Sequence, residues 1–232
     1  MEIFVDGFQQ AIALICQLDR LVMGAAIRSI WISTLAVAIA ALAGIPIGSC
    51  LARRKFWGRT LAVLFFRASM GMPTVLIGLI CYASFSRRGP LGGLDLLYTP
   101  WGIVAGEFLL ALPIIVSWTQ AALMNLEPAI PETARTLGAS PLRRWRTYLS
   151  EARVAIALAL LTAFARCFTE LGIAMMVGGN IKYRTRTLAT ATALETAQGD
   201  FARGFAMGLI LFFMALVITA VVGLLTRPEK RP

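Results

Sequence analysis

Glu132-Thr133-Ala134-Arg135-Thr136-Leu137-Gly138 lies in a charged stretch set between long apolar runs. Pro131 can open a helix here, and Glu132 then sits in its first turn, where a carboxylate complements the helix dipole. Gly138 supplies the left-handed residue that ends such a helix. Ser140-Pro141 follows as a second N-cap and first-turn proline. In the helix this begins, Leu142, Trp145, Leu149 and Ala152 share one face, with Arg143, Arg144 and Arg146 elsewhere on it. Ala134, Gly138 and Ala139 are small enough to let another surface approach the backbone. Residues 125–153 therefore read as a projecting amphipathic helix pair, a docking knob. For the arginines alone, a solvated basic loop is the alternative reading.

The sequence on either side places that knob at a membrane. Hydrophobic residues make up 58% of the chain and charged residues 15%, with a mean hydropathy of +0.76; a soluble domain carries roughly 45–50% and 25%. Crossing the hydrocarbon layer takes roughly 20 predominantly apolar residues, and the segments 28–51, 61–83, 101–124, 154–178 and 203–226 meet that need. The fold class expected is therefore all-α, a bundle of five membrane helices in one transmembrane domain, residues 1–232. Thr99-Pro100 caps the third span and Asp200 the fifth. Over residues 2–19, Phe4, Phe8, Ile12, Ile15 and Leu18 form a stripe opposite Glu2, Asp6, Gln9, Gln10 and Gln17, which predicts an interfacial amphipathic helix within segment 1–20. A short sixth span is the alternative. No signal peptide is read at the N-terminus.

Arginine and lysine set the orientation. Arg53, Arg54, Lys55 and Arg59 follow the first span; Arg135, Arg143, Arg144, Arg146 and Arg153 follow the third; Arg227, Lys230 and Arg231 form the tail. All fall on one side, which the positive-inside rule assigns to the cytoplasm, leaving the N-terminus outside. Arg87, Arg88, Lys182, Arg184 and Arg186 lie on the opposite side, so the charge bias is clear without being total.

Ionisable groups at membrane depth are costly and tend to be paired or functional. Arg166 precedes Glu170 by four residues in the fourth span, either as a self-neutralising pair or with partners on other helices, Glu107 among them. Pro73, Gly71 and Gly78 make the second span kinkable, as Pro113 does the third. Arg67 reads as snorkelling. Cys16, Cys50, Cys81 and Cys167 are scattered and histidine is absent, so neither disulfide framework nor metal site is read and no metal or cofactor is expected. The basic residues form no aromatic-interleaved stripe, which speaks against nucleic acid.

Glu132, Ala134 and Gly138 match the E-A-A-x-x-x-G signature of ABC importer membrane subunits, with Thr133 in place of its second residue. Tyr148-Leu149-Ser150-Glu151 stand where that family carries I-x-L-P. Across about residues 25–226 the chain resembles the permease subunit of tungstate ABC importers, with molybdate and sulfate permeases as more distant relatives. The stretches that carry this are Ser86-Arg87-Arg88-Gly89-Pro90-Leu91-Gly92, Leu97-Tyr98-Thr99-Pro100, Met175-Met176-Val177-Gly178-Gly179-Asn180-Ile181, Thr185-Arg186-Thr187 and Ala193-Leu194-Glu195-Thr196.

The resemblance implies a type I importer fold in the bacterial inner membrane, working as a dimer of two copies. It also implies two cytoplasmic ATPase subunits and an oxyanion-binding protein outside. Glu132, Thr133, Ala134, Gly138, Ala139, Leu142, Arg143 and Trp145 would then grip the ATPase. Arg166, Glu170, Glu107 and Pro73 would serve the translocation path, and the outer basic residues would dock the binding protein. Catalysis is not expected in this chain. A P-loop requires Gly-Lys-Ser/Thr, and glycine precedes none of Lys55, Lys182 and Lys230. A secondary transporter, the rival reading, calls for an internal repeat and midplane ion sites.

Overall fold

A computed structural model describes residues 8, 9, 12, 13, 16, 17 and 19–225. These form helices and loops, with no strand among them. Most of the interfacial segment 2–19 and the basic tail Arg227, Lys230 and Arg231 lie outside the described residues.

α1 spans Arg20–Arg53 and starts eight residues before the sequence expectation. Asp19 caps it, accepting from the Leu21 and Val22 amides at 2.8 and 3.2 Å. Its early turns tolerate Arg28 because Nε of that side chain donates to the Arg186 carbonyl at 2.8 Å. α1 runs parallel to α4, Pro100–Met124: Trp31 meets Trp101 edge-on with centroids 6.0 Å apart, and Gly48 lies against Val116 and Thr119 near the other end. A Cβ on Gly48 would stand 2.7 Å from the Val116 carbonyl oxygen and 2.8 Å from Thr119 Cβ, so these backbones approach as only small residues allow. Thr99 caps α4 as expected, accepting from the Gly102 amide at 3.2 Å.

The second span is not one helix. α2 (Arg59–Ser69) and α3 (Thr74–Phe85) meet at 103° across Met70–Pro73. Pro73 has no amide proton to continue the ladder, and it stands where α3 begins. Arg67 does not merely reach for the interface; its Nη2 donates to Gln120 Oε1 on α4 at 3.3 Å.

The fourth span is likewise divided. α7 (Arg153–Phe168) gives way to α8 (Gly172–Gly178) through Thr169, Glu170 and Leu171. The loop 125–153 contains α5 (Ala129–Thr136) and α6 (Pro141–Glu151), and α6 turns into α7 at 69°. The segment 179–202 between α8 and the last helix contains a further helix, α9 (Leu188–Ala197). The apolar α10 (Phe201–Leu225) closes the chain's described part, with the Arg203 amide bonded to Asp200 Oδ1 at 3.2 Å.

The largest core cluster gathers Val37, Ala40, Ile77, Leu110, Ile115, Ala163, Ile173 and Val177 from α1, α3, α4, α7 and α8. A second cluster, with Val22, Phe168, Leu188 and Met207, ties α9 and α10 to the start of α1. Phe65, Leu76, Leu79, Phe212 and Phe213 are exposed, the outward apolar surface a lipid-facing bundle presents.

Candidate functional site

At the end of the bundle where α1 and α4 finish, α5 and α6 fold back on each other as the sequence predicts. α5 begins two residues earlier than Pro131 suggests, so Pro131 occupies its first turn, where its missing amide proton costs nothing. Gly138 adopts φ +65°. Its amide donates to the Arg135 carbonyl at 3.0 Å, and the Ala139 amide to the Ala134 carbonyl at 3.1 Å. This pair of bonds is a Schellman turn. It satisfies two helix-end carbonyls and turns Leu137, 79% exposed, toward solvent.

Ser140 caps α6, its hydroxyl accepting from the Arg143 amide at 3.4 Å. Ala134 is buried beneath Tyr148, and both pack with Leu123, Ala152 and Ile156. Tyr148 anchors the knob to α4 and α7 through Leu123 and Ile156. Between the two short helices runs an open groove of about 430 Å3, lined by Ala129, Ile130, Thr133, Leu137, Arg143 and Thr147. Glu132, Thr133, Gly138 and Leu142 are exposed on the knob, whereas Trp145 is half-buried and faces the opposite side. The knob is thus a projection with an apolar tip and a shallow cleft, shaped by its own caps and joined to the bundle through Ala134 and Tyr148.

Within the bundle, Arg166 Nη1 lies 2.9 Å from Glu170 Oε2. The pairing is local, not across helices. The break after Phe168 lets Glu170 swing toward Arg166 while its other oxygen accepts the Ile173 amide at 3.1 Å, capping α8. The Glu170 side chain is 1% exposed and that of Arg166 44%. Glu107 is buried on α4 beside Ser33 and Glu170, and its Oε2 has no hydrogen-bond partner among the described residues. Arg166, Glu107 and Glu170 therefore converge, while Pro73 sits apart at the α2–α3 break.

The far end carries the segments that join α3 to α4 and α8 to α10. Arg87 and Arg88 are exposed on a turn closed by the Gly89 amide to the Ser86 carbonyl at 2.7 Å. Lys182 and Arg184 are exposed as well. Arg186 is not available for docking: it is buried, and its Nη1 pairs with Glu195 Oε1 at 3.1 Å. Thr185 donates to the Gly178 carbonyl at 2.6 Å, and Thr187 with Thr190 forms a capping box for α9. The Tyr98 amide donates to the Val177 carbonyl at 2.8 Å. Gly179, at φ +66°, leaves space for the Tyr98 ring, which a Cβ would meet at 2.6 Å. The stretches Leu97–Pro100 and Met175–Thr187 thus interlock as a scaffold.

Sequence reasoning missed Arg28, which braces that scaffold from α1. The signal was an arginine just ahead of the apolar run, easily taken for a flank.

The four cysteines are free, Cys81 and Cys167 buried, Cys50 half-buried and Cys16 exposed. No group of three or more His, Cys, Asp or Glu able to hold a metal occurs among the described residues.

Comparison with known proteins converges on one family. Residues 44–229 match the binding-protein-dependent transport system inner membrane component. The tungstate uptake system permease protein TupB of Campylobacter jejuni is 36% identical over 227 residues, covering 98% of this chain and 95% of that protein. The protein of the same name from Peptoclostridium acidaminophilum is 33% identical over 222 residues, covering 96% and 97%. Among solved structures, a bacterial ABC transporter involved in the import of the acidic polysaccharide alginate superposes with a TM-score of 0.76 at 16% identity, over 97% of this chain and 84% of that one.

Proposed function

The chain belongs to the binding-protein-dependent transport system inner membrane components, and on that premise we propose that it is the permease of an ATP-driven importer of a tetrahedral oxyanion, tungstate foremost. The observation that carries the coupling half of this reading is the α5–α6 knob. Its Schellman turn at Gly138 fixes a projecting apolar tip, which is what a separate ATPase needs in order to grip a membrane subunit.

Two copies of the chain enclose the path, two ATPase subunits engage the two knobs, and an outer binding protein delivers the solute. The basic residues at the knob-bearing end support a cytoplasmic position for it; on a reading of five crossings the N-terminus then lies outside. ATP binding closes the ATPases and draws the knobs together. Rigid attachment of Tyr148 and Ala134 to α4 and α7 passes that motion into the bundle and turns the path outward. Hydrolysis reverses it.

Arg166 and Glu170 hold the α7–α8 break in one of two packings. They do not form a strong anion site, because the carboxylate cancels the guanidinium and repels a dianion. Arg87, Arg88, Lys182 and Arg184 receive the binding protein on the scaffold braced by Arg186. Solute choice then rests chiefly with that protein. The test is ATP hydrolysis by the reconstituted complex with binding protein loaded with tungstate, molybdate or sulfate. Stimulation by tungstate at the lowest concentration supports the reading; stimulation by molybdate or sulfate alone transfers it to those anions. Stimulation by none removes it.

A further inference from the structure

Beside the knob, the last turns of α1 and the first turns of α6 wall a second groove, of about 520 Å3. Arg53 and Arg54 enter it from the end of α1, Arg135 from α5 and Arg144 from α6, and no carboxylate lines it. The ion pairs among the described residues involve none of these four. Glu127, Glu132 and Glu151 lie on the same loop, yet all three stay outside the groove. Four like charges gathered without a counter-charge repel one another, and an anion bound among them relieves that repulsion.

The setting is built rather than incidental. The Arg53 guanidinium lies 4.4 Å from the centroid of the buried Tyr148 ring, which fixes it against the floor. Arg144 is half-buried where it lines the groove. Pro141, the first residue of α6, lines the rim, so the positive field at the N-terminus of this 11-residue helix adds to that of the arginines. Guanidinium forks match a tetrahedral oxyanion with two parallel hydrogen bonds, which a lysine cluster would not do.

We propose that this groove binds a dianionic tetrahedral oxyanion, either a free inorganic dianion or the phosphate monoester headgroup of an anionic lipid. The site lies next to the element that engages the ATPase, so its occupancy bears on how the knob sits. The proposal goes beyond the importer reading and does not depend on which solute is carried.

The experiment uses the complete permease–ATPase complex in phosphatidylcholine nanodiscs and compares three proteins: the wild type, Arg54→Gln/Arg144→Gln, and the control Arg146→Gln/Arg153→Gln, which removes two exposed charges outside the groove. Inorganic tungstate is titrated by calorimetry, and phosphatidic acid retention is read by native mass spectrometry after nanodisc doping. The groove variant is expected to weaken binding about tenfold per arginine lost, charged hydrogen bonds being worth that much, while the control matches wild type. Tungstate binding in undoped discs assigns the free anion; selective retention of phosphatidic acid assigns the lipid; either supports the site. Should the double variant not fold, Arg54→Gln alone carries the test, because that side chain is exposed and forms no ion pair with a described residue. Equal behaviour of groove and control variants overturns the proposal. So does loss of the ATPase subunit from the groove variant with anion binding intact, which would make the groove a protein contact.

Discussion

Gly138 separates a purely local role from a docking role, because the two predict opposite rank orders. It holds φ +65°, and a Cβ built on it meets nothing within 4 Å. Substitution therefore creates no clash within the chain. Gly138→Ala forces an ordinary residue into the left-handed region at a cost of ~1 kcal/mol. Leaving that region instead would forfeit the two Schellman bonds, from the Gly138 and Ala139 amides, at about 1 kcal/mol each, so strain is the cheaper response. Gly138→Asn and Gly138→Asp adopt the left-handed conformation more readily and should destabilise less than alanine. If the glycine merely ends α5, coupling should follow stability, with alanine the worst. If it lets the ATPase approach the backbone, the larger side chains should be worst, aspartate most of all. The assay is binding-protein-stimulated ATP hydrolysis in the reconstituted complex, alongside thermal unfolding of each variant. We expect Gly138→Asp to lose at least an order of magnitude of stimulated hydrolysis while unfolding no earlier than Gly138→Ala. Normal stimulated hydrolysis in the aspartate variant, or activities that track stability, would refute the docking role.

Other substitutions probe the bundle and the far end. Gly48→Ala should cost about 1–3 kcal/mol of overpacking, because the Val116 carbonyl stands 2.7 Å from the new carbon; Gly93→Ala, with nothing within 4 Å, should be silent in the same thermal unfolding measurement. Arg166→Met strands the Glu170 carboxylate at 1% side-chain exposure and should cost about 3 kcal/mol, the lower end for a broken buried pair since the Ile173 amide still bonds it. The double change with Glu170→Met should cost less, and strictly additive losses in the cycle would reject the pairing. Arg186→Met likewise leaves Glu195 unpaired at 7% exposure and should destabilise the scaffold around α9 by about 3–5 kcal/mol. Arg87→Glu with Arg88→Glu should instead leave stability intact and slow binding-protein association in a salt-sensitive way; unchanged kinetics across a salt series would count against that docking face.

The knob was legible in the sequence because its signals are local. Gly138 and Ser140-Pro141 act through backbone bonds one turn away, and the structure places them as read. Apolar windows pick out the apolar segments but do not register where a helix breaks. A hydrophobicity window over 61–83 is continuous, whereas Gly71 and Pro73 mark where that segment can kink, and the helices on either side of them meet at 103°. Glu170 was seen as an ion-pair partner, yet its second oxygen caps α8, a role visible only once the helix is known to stop at Phe168. α9 escaped notice because its Thr- and Ala-rich run resembles a polar loop until Leu188 and Ala191 find Val22 and Met207. Arg186 was misplaced on the surface because its partner, Glu195, is nine residues on, and only the fold brings them together.

The most direct test of the central claim is transport itself. Proteoliposomes holding the permease and its ATPase, supplied with binding protein and tungstate on the outer face and ATP on the knob-bearing face, should accumulate tungstate against its gradient. Accumulation should cease without the binding protein or with a non-hydrolysable nucleotide. Uptake that persists without ATP and follows an imposed proton or sodium gradient would contradict the account.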